Sequence, residues 1–256
     1  MRGRPPPTFR EVEPLVPILI SVLQTNDDSA KTDAFWGLSY IADTVTGDHR
    51  GLFTPALFEG LRKQLAPDPQ SQPLPLLTPA IRLAGNIASG PDSVVDKFSG
   101  CLAPYVQHLY HASPNLKETL WGFSNITAGS SAQIDAVVHM GCIPRVVELV
   151  SGPWPDVAKE GLWALANACS GCTKSTRSKL VGLGVLDAFL FGLGMVSDPK
   201  ALAVALKGLS TMETLSDSCK KEPLLAALKP LLRHPQHGAK ALQIFEALGG
   251  SVEEEQ

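Results

Sequence analysis

LKETLWGFSN, Leu116 to Asn125, carries an acid, a tryptophan three residues later and an asparagine four residues beyond that. AKEGLWALAN (Ala158 to Asn167) repeats the pattern, and KTDAFWGLSY (Lys31 to Tyr40) repeats it with tyrosine in the last place. Two weaker copies fit the same frame. PAIRLAGN (Pro79 to Asn86) has Arg82 in the tryptophan column and Asn86 in the asparagine column, while VALKGLST (Val204 to Thr211) has Lys207 and Thr211 there.

The column therefore runs through Trp36, Arg82, Trp121, Trp163 and Lys207, at spacings of about 46, 39, 42 and 44 residues. Those spacings match the roughly 40–47 residues of armadillo and HEAT units and exceed the roughly 33–34 of ankyrin and tetratricopeptide units. A second stripe recurs at helical spacing one residue ahead of the column, as in Leu120, Phe123 and Ile126, or Leu162, Leu165 and Ala168. That stripe is the expected buried face. Ala128-Gly129 and Ser170-Gly171 read as helix stops, and GCIPRVVELV (Gly141 to Val150) as a reset followed by another apolar helix. No segment alternates with the period of a strand, so the expected fold is all-α, a helical solenoid.

Pro5, Pro6 and Pro7 cannot continue a helix, which makes residues 1–10 an extended lead-in. The repeat domain is expected over residues 11–250, with about five to six repeats and an inserted loop from Ala66 to Pro75. SVEEEQ, residues 251–256, is a short acidic tail.

The 256 residues are 44% hydrophobic, 18% charged and 6% aromatic, a balance that suits a packed core and neither disorder nor a disulfide-stapled fold. A formal charge of −3 gives no basic footprint for phosphate backbones, so nucleic acid is not an expected partner, whereas a cationic one is. Cys101, Cys142, Cys169, Cys172 and Cys219 are odd in number and follow no apolar secretory segment, which favours free thiols. No apolar run is long enough to span a membrane.

Residues at i, i+3 and i+7 share one side of a helix, so Glu118, Trp121 and Asn125 lie together, as do Glu160, Trp163 and Asn167. If successive copies stack about 8–10 Å apart, their columns become a ladder lining a groove. An asparagine amide can pair with the backbone of an extended peptide without reading its side chains. Indoles wall a slot for the stem of lysine or arginine and attract its charged end. Glu118 and Glu160, one turn earlier, can then pair with that cation. One tryptophan at helical spacing usually belongs to a core. The same triad repeated on the side away from the apolar stripe points to a ligand.

These residues resemble the importin-alpha family, adaptors that carry nuclear-localisation signals. WGFSNITAGSSAQIDAVVHMG (Trp121 to Gly141) is similar to that family's repeat signature, and AGNIASGPD (Ala84 to Asp92), WALANACSG (Trp163 to Gly171) and PPPTF (Pro5 to Phe9) match neighbouring segments in order. The resemblance covers roughly residues 5–215 and implies a right-handed superhelical solenoid of armadillo repeats that starts at the family's fourth repeat. It implies peptide-binding roles for Trp36, Tyr40, Arg82, Asn86, Asp92, Glu118, Trp121, Asn125, Glu160, Trp163 and Asn167, chiefly those of the minor signal-binding site.

The expected function is a nuclear-import cargo adaptor, not an enzyme, with basic signal peptides as partners and the cytoplasm and nucleus as its locations. The alternative is an armadillo interaction scaffold, or a decoy that binds a peptide without recruiting a carrier. The family's basic importin-beta-binding segment and first three repeats have no counterpart before Met1, and Lys229 to Gly250 only loosely resembles the closing, exporter-contacting helices. Recruitment of importin-beta or of the exporter is therefore not expected. No membrane and no cofactor is expected either.

Other signals are weaker. Cys169 and Cys172 have CxxC spacing without a second pair or suitable histidines, so ordinary thiols are expected. His108 and His111 lack an acid or cysteine to complete a metal site and are read as surface or packing residues. Gly182-Leu-Gly184 and Gly192-Leu-Gly194 lack the setting of a nucleotide fingerprint and read as helix ends. No GxSxG elbow, Walker loop or nucleophile and base set is present.

Overall fold

A computed structural model describes residues 7–44, 51–66, 74–111, 114–195, 198–212 and 220–251. Among these residues the regular elements are all helical. Residues 1–6 of the expected lead-in, residues 67–73 of the expected loop, Cys219 and residues 252–256 of the tail lie outside the described residues.

The chain divides into two compact units, Met1–Gly129 and Ser130–Gln256. The first holds α1 (Phe9–Val12), α2 (Val16–Val22), α3 (Asp28–Thr44), α4 (Pro55–Leu65), α5 (Leu74–Ala88), α6 (Asp92–Lys97), α7 (Ser99–Gln107) and α8 (Leu116–Thr127). One layer runs from α3 to α5 to α8, each helix packed on the next. A second layer is formed by α2, α4 and α7, with α4 touching both neighbours and α5 beneath it.

The expected apolar stripe is the seam of this unit. Leu120 and Phe123 are fully buried and Ile126 nearly so, alongside Leu38, Ile81, Ala84 and Ile87. Helices α5 and α8 approach unusually closely because each offers a glycine. A Cβ at Gly122 would sit 2.8 Å from the Gly85 Cα and would also collide with the Tyr105 hydroxyl. Tyr105 is wholly buried and donates to the Thr119 carbonyl at 2.8 Å, which fastens α7 to α8.

The second unit holds α9 (Ser131–His139), α10 (Ile143–Val150), α11 (Pro155–Gly171), α12 (Lys174–Gly182), α13 (Val185–Leu193), α14 (Pro199–Ser210), α15 (Lys221–Leu228) and α16 (Gly238–Ala247). Here α11, α14 and α16 pack in series, and so do α10, α13 and α15. Leu162, Leu165 and Ala168 are fully buried, as the periodicity requires. Short helices α9 and α12 are each started by a hydroxyl cap: Ser130 Oγ accepts from the Gln133 N–H, and Thr173 Oγ1 from the Thr176 N–H. Each ends near a left-handed glycine, Gly141 at φ 71° and Gly184 at φ 89°, which turns the chain into the next helix.

Some boundaries differ from the sequence expectation. Helix α1 begins at Phe9, inside the expected lead-in, because the Thr8 N–H and hydroxyl both donate to the Glu11 carboxylate at 2.7 Å. Helix α5 begins at Leu74, so Pro75 lies in a first helical turn, where its missing N–H costs nothing. Gly192 is the penultimate residue of α13 and Gly194 its C-cap, so this pair closes a helix as expected, but Gly192 also has a packing role. A Cβ there would press on Ala205 at 2.9 Å and on Leu162 at 3.0 Å, so close packing demands the glycine.

Candidate functional site

In the first unit the repeated columns fall on α3, α5 and α8. Trp36 and Tyr40 are one turn apart on α3, half-buried, with rings stacked at 5.8 Å and 21°. Arg82 of α5 reaches α8, where its Cζ lies 4.6 Å from the centre of the Trp121 ring and its Nη1 pairs with Glu118 Oε2 at 2.5 Å. A basic side chain thus lies on the indole and meets the acid one turn before it. That is the arrangement expected for a ligand, made here by the chain's own arginine.

The asparagines make a ladder of ties between helices. Asn86 Nδ2 donates to the Ser39 carbonyl of α3 at 2.9 Å and to its hydroxyl at 3.1 Å. Asn125 Nδ2 donates to the Gly85 carbonyl of α5 at 3.0 Å. In both cases the acceptor is the residue just before the preceding column position. The NH2 group of each amide therefore holds the neighbouring helix, and at Asn125 the carbonyl oxygen is the atom suited to accept from a peptide N–H.

Asn86 departs from the sequence reading: it is only 5% exposed and spends its amide on Ser39, so it serves as an internal strut rather than groove lining. Asp92 is exposed at the first position of α6, a helix separate from the α5 and α8 elements that carry Arg82, Trp121 and Glu118. Gly85 is the supporting residue that periodicity alone does not single out. A Cβ there would run into the Trp121 ring, so glycine on α5 lets the indole lie against the helix.

In the second unit Glu160, Trp163 and Asn167 share one side of α11. Trp163 is 37% exposed, whereas Leu162 and Ala164 beside it are fully buried, so the indole stands on the accessible face. Lys207 of α14 puts its ammonium 5.7 Å from the Trp163 ring centre and 3.4 Å from Asn167 Oδ1. Glu160 is half-buried one turn before the tryptophan. Its neighbour Lys159 pairs instead with Asp198 at 2.6 Å, and that bond holds the Asp198 carboxyl below its ordinary range.

The remaining signals are structural. Cys169 and Cys172 are both buried free thiols, and the Cys172 thiol donates to the Cys169 carbonyl. Burial pushes the Cys142 thiol up to about 12 and raises that of Cys169 further. Among the described residues no group of three or more His, Cys, Asp or Glu side chains could hold a metal ion, and no helix is long and apolar enough to cross a membrane.

Residues 130–170, which span α9 to α11, match the armadillo/beta-catenin-like repeat family. The chain is 32% identical over 224 residues to importin subunit alpha-4 of Arabidopsis thaliana, covering 86% of this chain and 41% of that protein. It is 35% identical over 155 residues to importin subunit alpha-1a of Oryza sativa subsp. japonica, covering 57% of this chain and 28% of that one. It thus spans well under half the length of these relatives. Among solved structures, a designed armadillo repeat protein in complex with the peptide (KR)4 covers 91% of this chain at a TM-score of 0.78 and 25% identity, with 99% of the designed chain covered. With its repeat columns on packed helices and its relatives uniform in kind, the chain belongs to the importin-alpha family of armadillo-repeat proteins.

Proposed function

We propose that this chain is a cargo adaptor that binds lysine- and arginine-rich segments, of the nuclear-localisation type, on its Trp/Asn faces. The observation that carries the reading is that each unit already holds a cation of its own on a column tryptophan: Arg82 on Trp121 with Glu118, and Lys207 on Trp163 with Asn167. A surface that arranges indole, amide and carboxylate around its own basic side chains has the chemistry to receive those of a peptide. The designed armadillo protein solved with (KR)4 supports the same ligand class.

In this reading Trp121 in the first unit and Trp163 in the second each lie against the stem of a basic residue, and Glu118 and Glu160 pair with the charged end in their own unit. Asn125 and Asn167 accept from peptide N–H groups. Trp36 and Tyr40 extend the aromatic surface on α3. The adaptor would act in the cytoplasm and nucleus.

Fluorescence anisotropy with a labelled peptide of the sequence Lys-Lys-Lys-Arg-Lys tests the proposal. Trp121→Ala combined with Trp163→Ala is expected to weaken binding by at least about tenfold, since two cation–π slots are lost. Unchanged binding would remove the site. Tight binding of a neutral peptide of equal length would instead favour a general interaction scaffold.

A further inference from the structure

The first unit carries a second concave feature that the Trp/Asn face does not use. A cleft of about 600 Å³ opens between the start of α4 and the α6–α7 turn, within the size range of small-ligand and side-chain pockets. Its lining comes from α4, α6, α7 and the residues just before α4, and none comes from α3, α5 or α8. Phe53, Pro55 and Phe58 make apolar walls. Cys101 closes the floor; its thiol donates to the Phe58 carbonyl at 3.4 Å, and burial holds it protonated, so it acts as an apolar wall and not as a nucleophile.

The rim is polar and predominantly cationic. Arg62 and Lys97 line it together with a single acid, Glu59. Glu59 is already engaged: it accepts from Arg62 Nε at 3.1 Å and from Arg62 Nη2 at 3.0 Å, and pairs with Lys63 at 3.5 Å. A guanidinium has five N–H donors, and this pair uses two, leaving three without a partner among the described residues. Rim and walls together match a ligand with an aromatic body flanked by carboxylates.

We propose that this cleft is a second docking site, for an acidic peptide segment of a partner protein that inserts one aromatic side chain between Phe53 and Phe58 and sets its carboxylates on Arg62 and Lys97. Arg62 and Lys97 come from different helices, α4 and α6, so acids flanking the anchor have a cation on each side of the cleft to meet. The same charges repel a basic signal. The two faces of this unit are therefore selective for opposite chemistries, and one molecule can hold both partners at once.

The test uses the whole chain and a fluorescein-labelled peptide, Glu-Asp-Phe-Glu-Asp, with two controls: the same peptide carrying alanine in place of phenylalanine, and free phenylacetate. Gly100 lines the cleft, and a Cβ built there meets nothing within 4 Å, so Gly100→Trp introduces a bulky side chain at the cleft without a clash at its first atom, and retained binding of the basic peptide reports that the fold is intact. Saturable binding of the phenylalanine peptide is expected. It should be weakened at least about tenfold by Gly100→Trp, by Arg62→Glu with Lys97→Glu, and by the alanine control. Binding of the basic peptide should be unaffected by Gly100→Trp. No saturable binding at millimolar peptide, or binding that survives both sets of substitutions, would overturn the proposal. Phenylacetate binding as tightly as the peptide would overturn the peptide as occupant.

Discussion

At the scale of single residues the sequence shows which side chains share a helix face, but not what they reach for. Glu118, Trp121 and Asn125 were legible as a set because three- and four-residue spacings fix them on one side of α8. The approach of Arg82 was not, since it comes from a helix 36 residues earlier in the chain. Its position makes it a competitor for any basic side chain directed to Glu118. Arg82→Ala is therefore expected to tighten binding of the basic peptide by about threefold to tenfold, by clearing one indole face and one carboxylate. Glu118→Gln should weaken it. Titrating both variants by anisotropy checks the pair, and weaker binding by Arg82→Ala would show that the arginine instead holds Trp121 in its working position.

His108 allows a second test at this scale. It is 2% exposed, and burial lowers its pKa, opposed by a bond with the Leu65 backbone and assisted by the nearby His111. Its Nε2 is buried without a partner among the described residues. The neutral ring thus persists in the folded chain at pH values where the unfolded chain, near its ordinary pKa of about 6.5, begins to take up a proton. The unfolded state then binds more protons, so this contribution is complete above about pH 6.5 and is lost as pH falls toward the depressed folded value. One such group changes stability by at most about 1.4 kcal/mol per pH unit. His108→Asn keeps a donor in the ring's place and removes the titration, so urea unfolding between pH 7.5 and 5.5 should show a shallower loss than in the unaltered chain. Identical slopes would mean that His108 takes up its proton in the folded chain as readily as in the unfolded one.

Elements depend on backbones approaching closely, and here glycines divide into two kinds. Gly122→Ala puts a Cβ against Tyr105 and Gly85, and Gly85→Ala puts one into the Trp121 ring, so α5 and α8 must move apart in either variant. Overpacking of this kind is expected to cost about 1–3 kcal/mol, and it should weaken peptide binding too, because the Asn125 tie to the Gly85 carbonyl spans the same contact. Gly100→Ala is the contrast. It meets open space on α7 and should be neutral or stabilising by up to about 1 kcal/mol. Urea midpoints of the three variants decide it. The helical character of α3, α8 and α11 and their buried stripes could be read from periodicity. The start of α1 could not, since prolines announce a break while the Thr8 and Glu11 cap that ends it is a pairing of side chain with backbone. The split between packing and turn glycines was equally hidden, because Gly192 and Gly194 look alike until Ala205 is seen against one of them.

For the whole molecule the spacing of the columns, not any single motif, made the fold legible, because a helical layer rebuilt at about 40-residue intervals has few architectures open to it. Less legible was how the asparagine column works, since Asn86 and Asn125 look equivalent in sequence and differ in burial. Net charge adds a constraint on function: a chain of formal charge −3 attracts a basic peptide at long range, while the indole contacts act only on touch. Raising salt from 0.1 to 1 M shortens the screening length from about 10 to about 3 Å, which removes the first contribution and largely spares the second. Affinity for the basic peptide should therefore fall by roughly tenfold or more across that range and then level off. Glu160→Gln should lose affinity mainly at low salt and converge on the unaltered chain at 1 M, whereas Trp163→Ala should be weaker at every salt concentration. Anisotropy titrations along the series check this. Parallel losses for the two variants would mean that carboxylate and indole do not divide recognition between charge and contact.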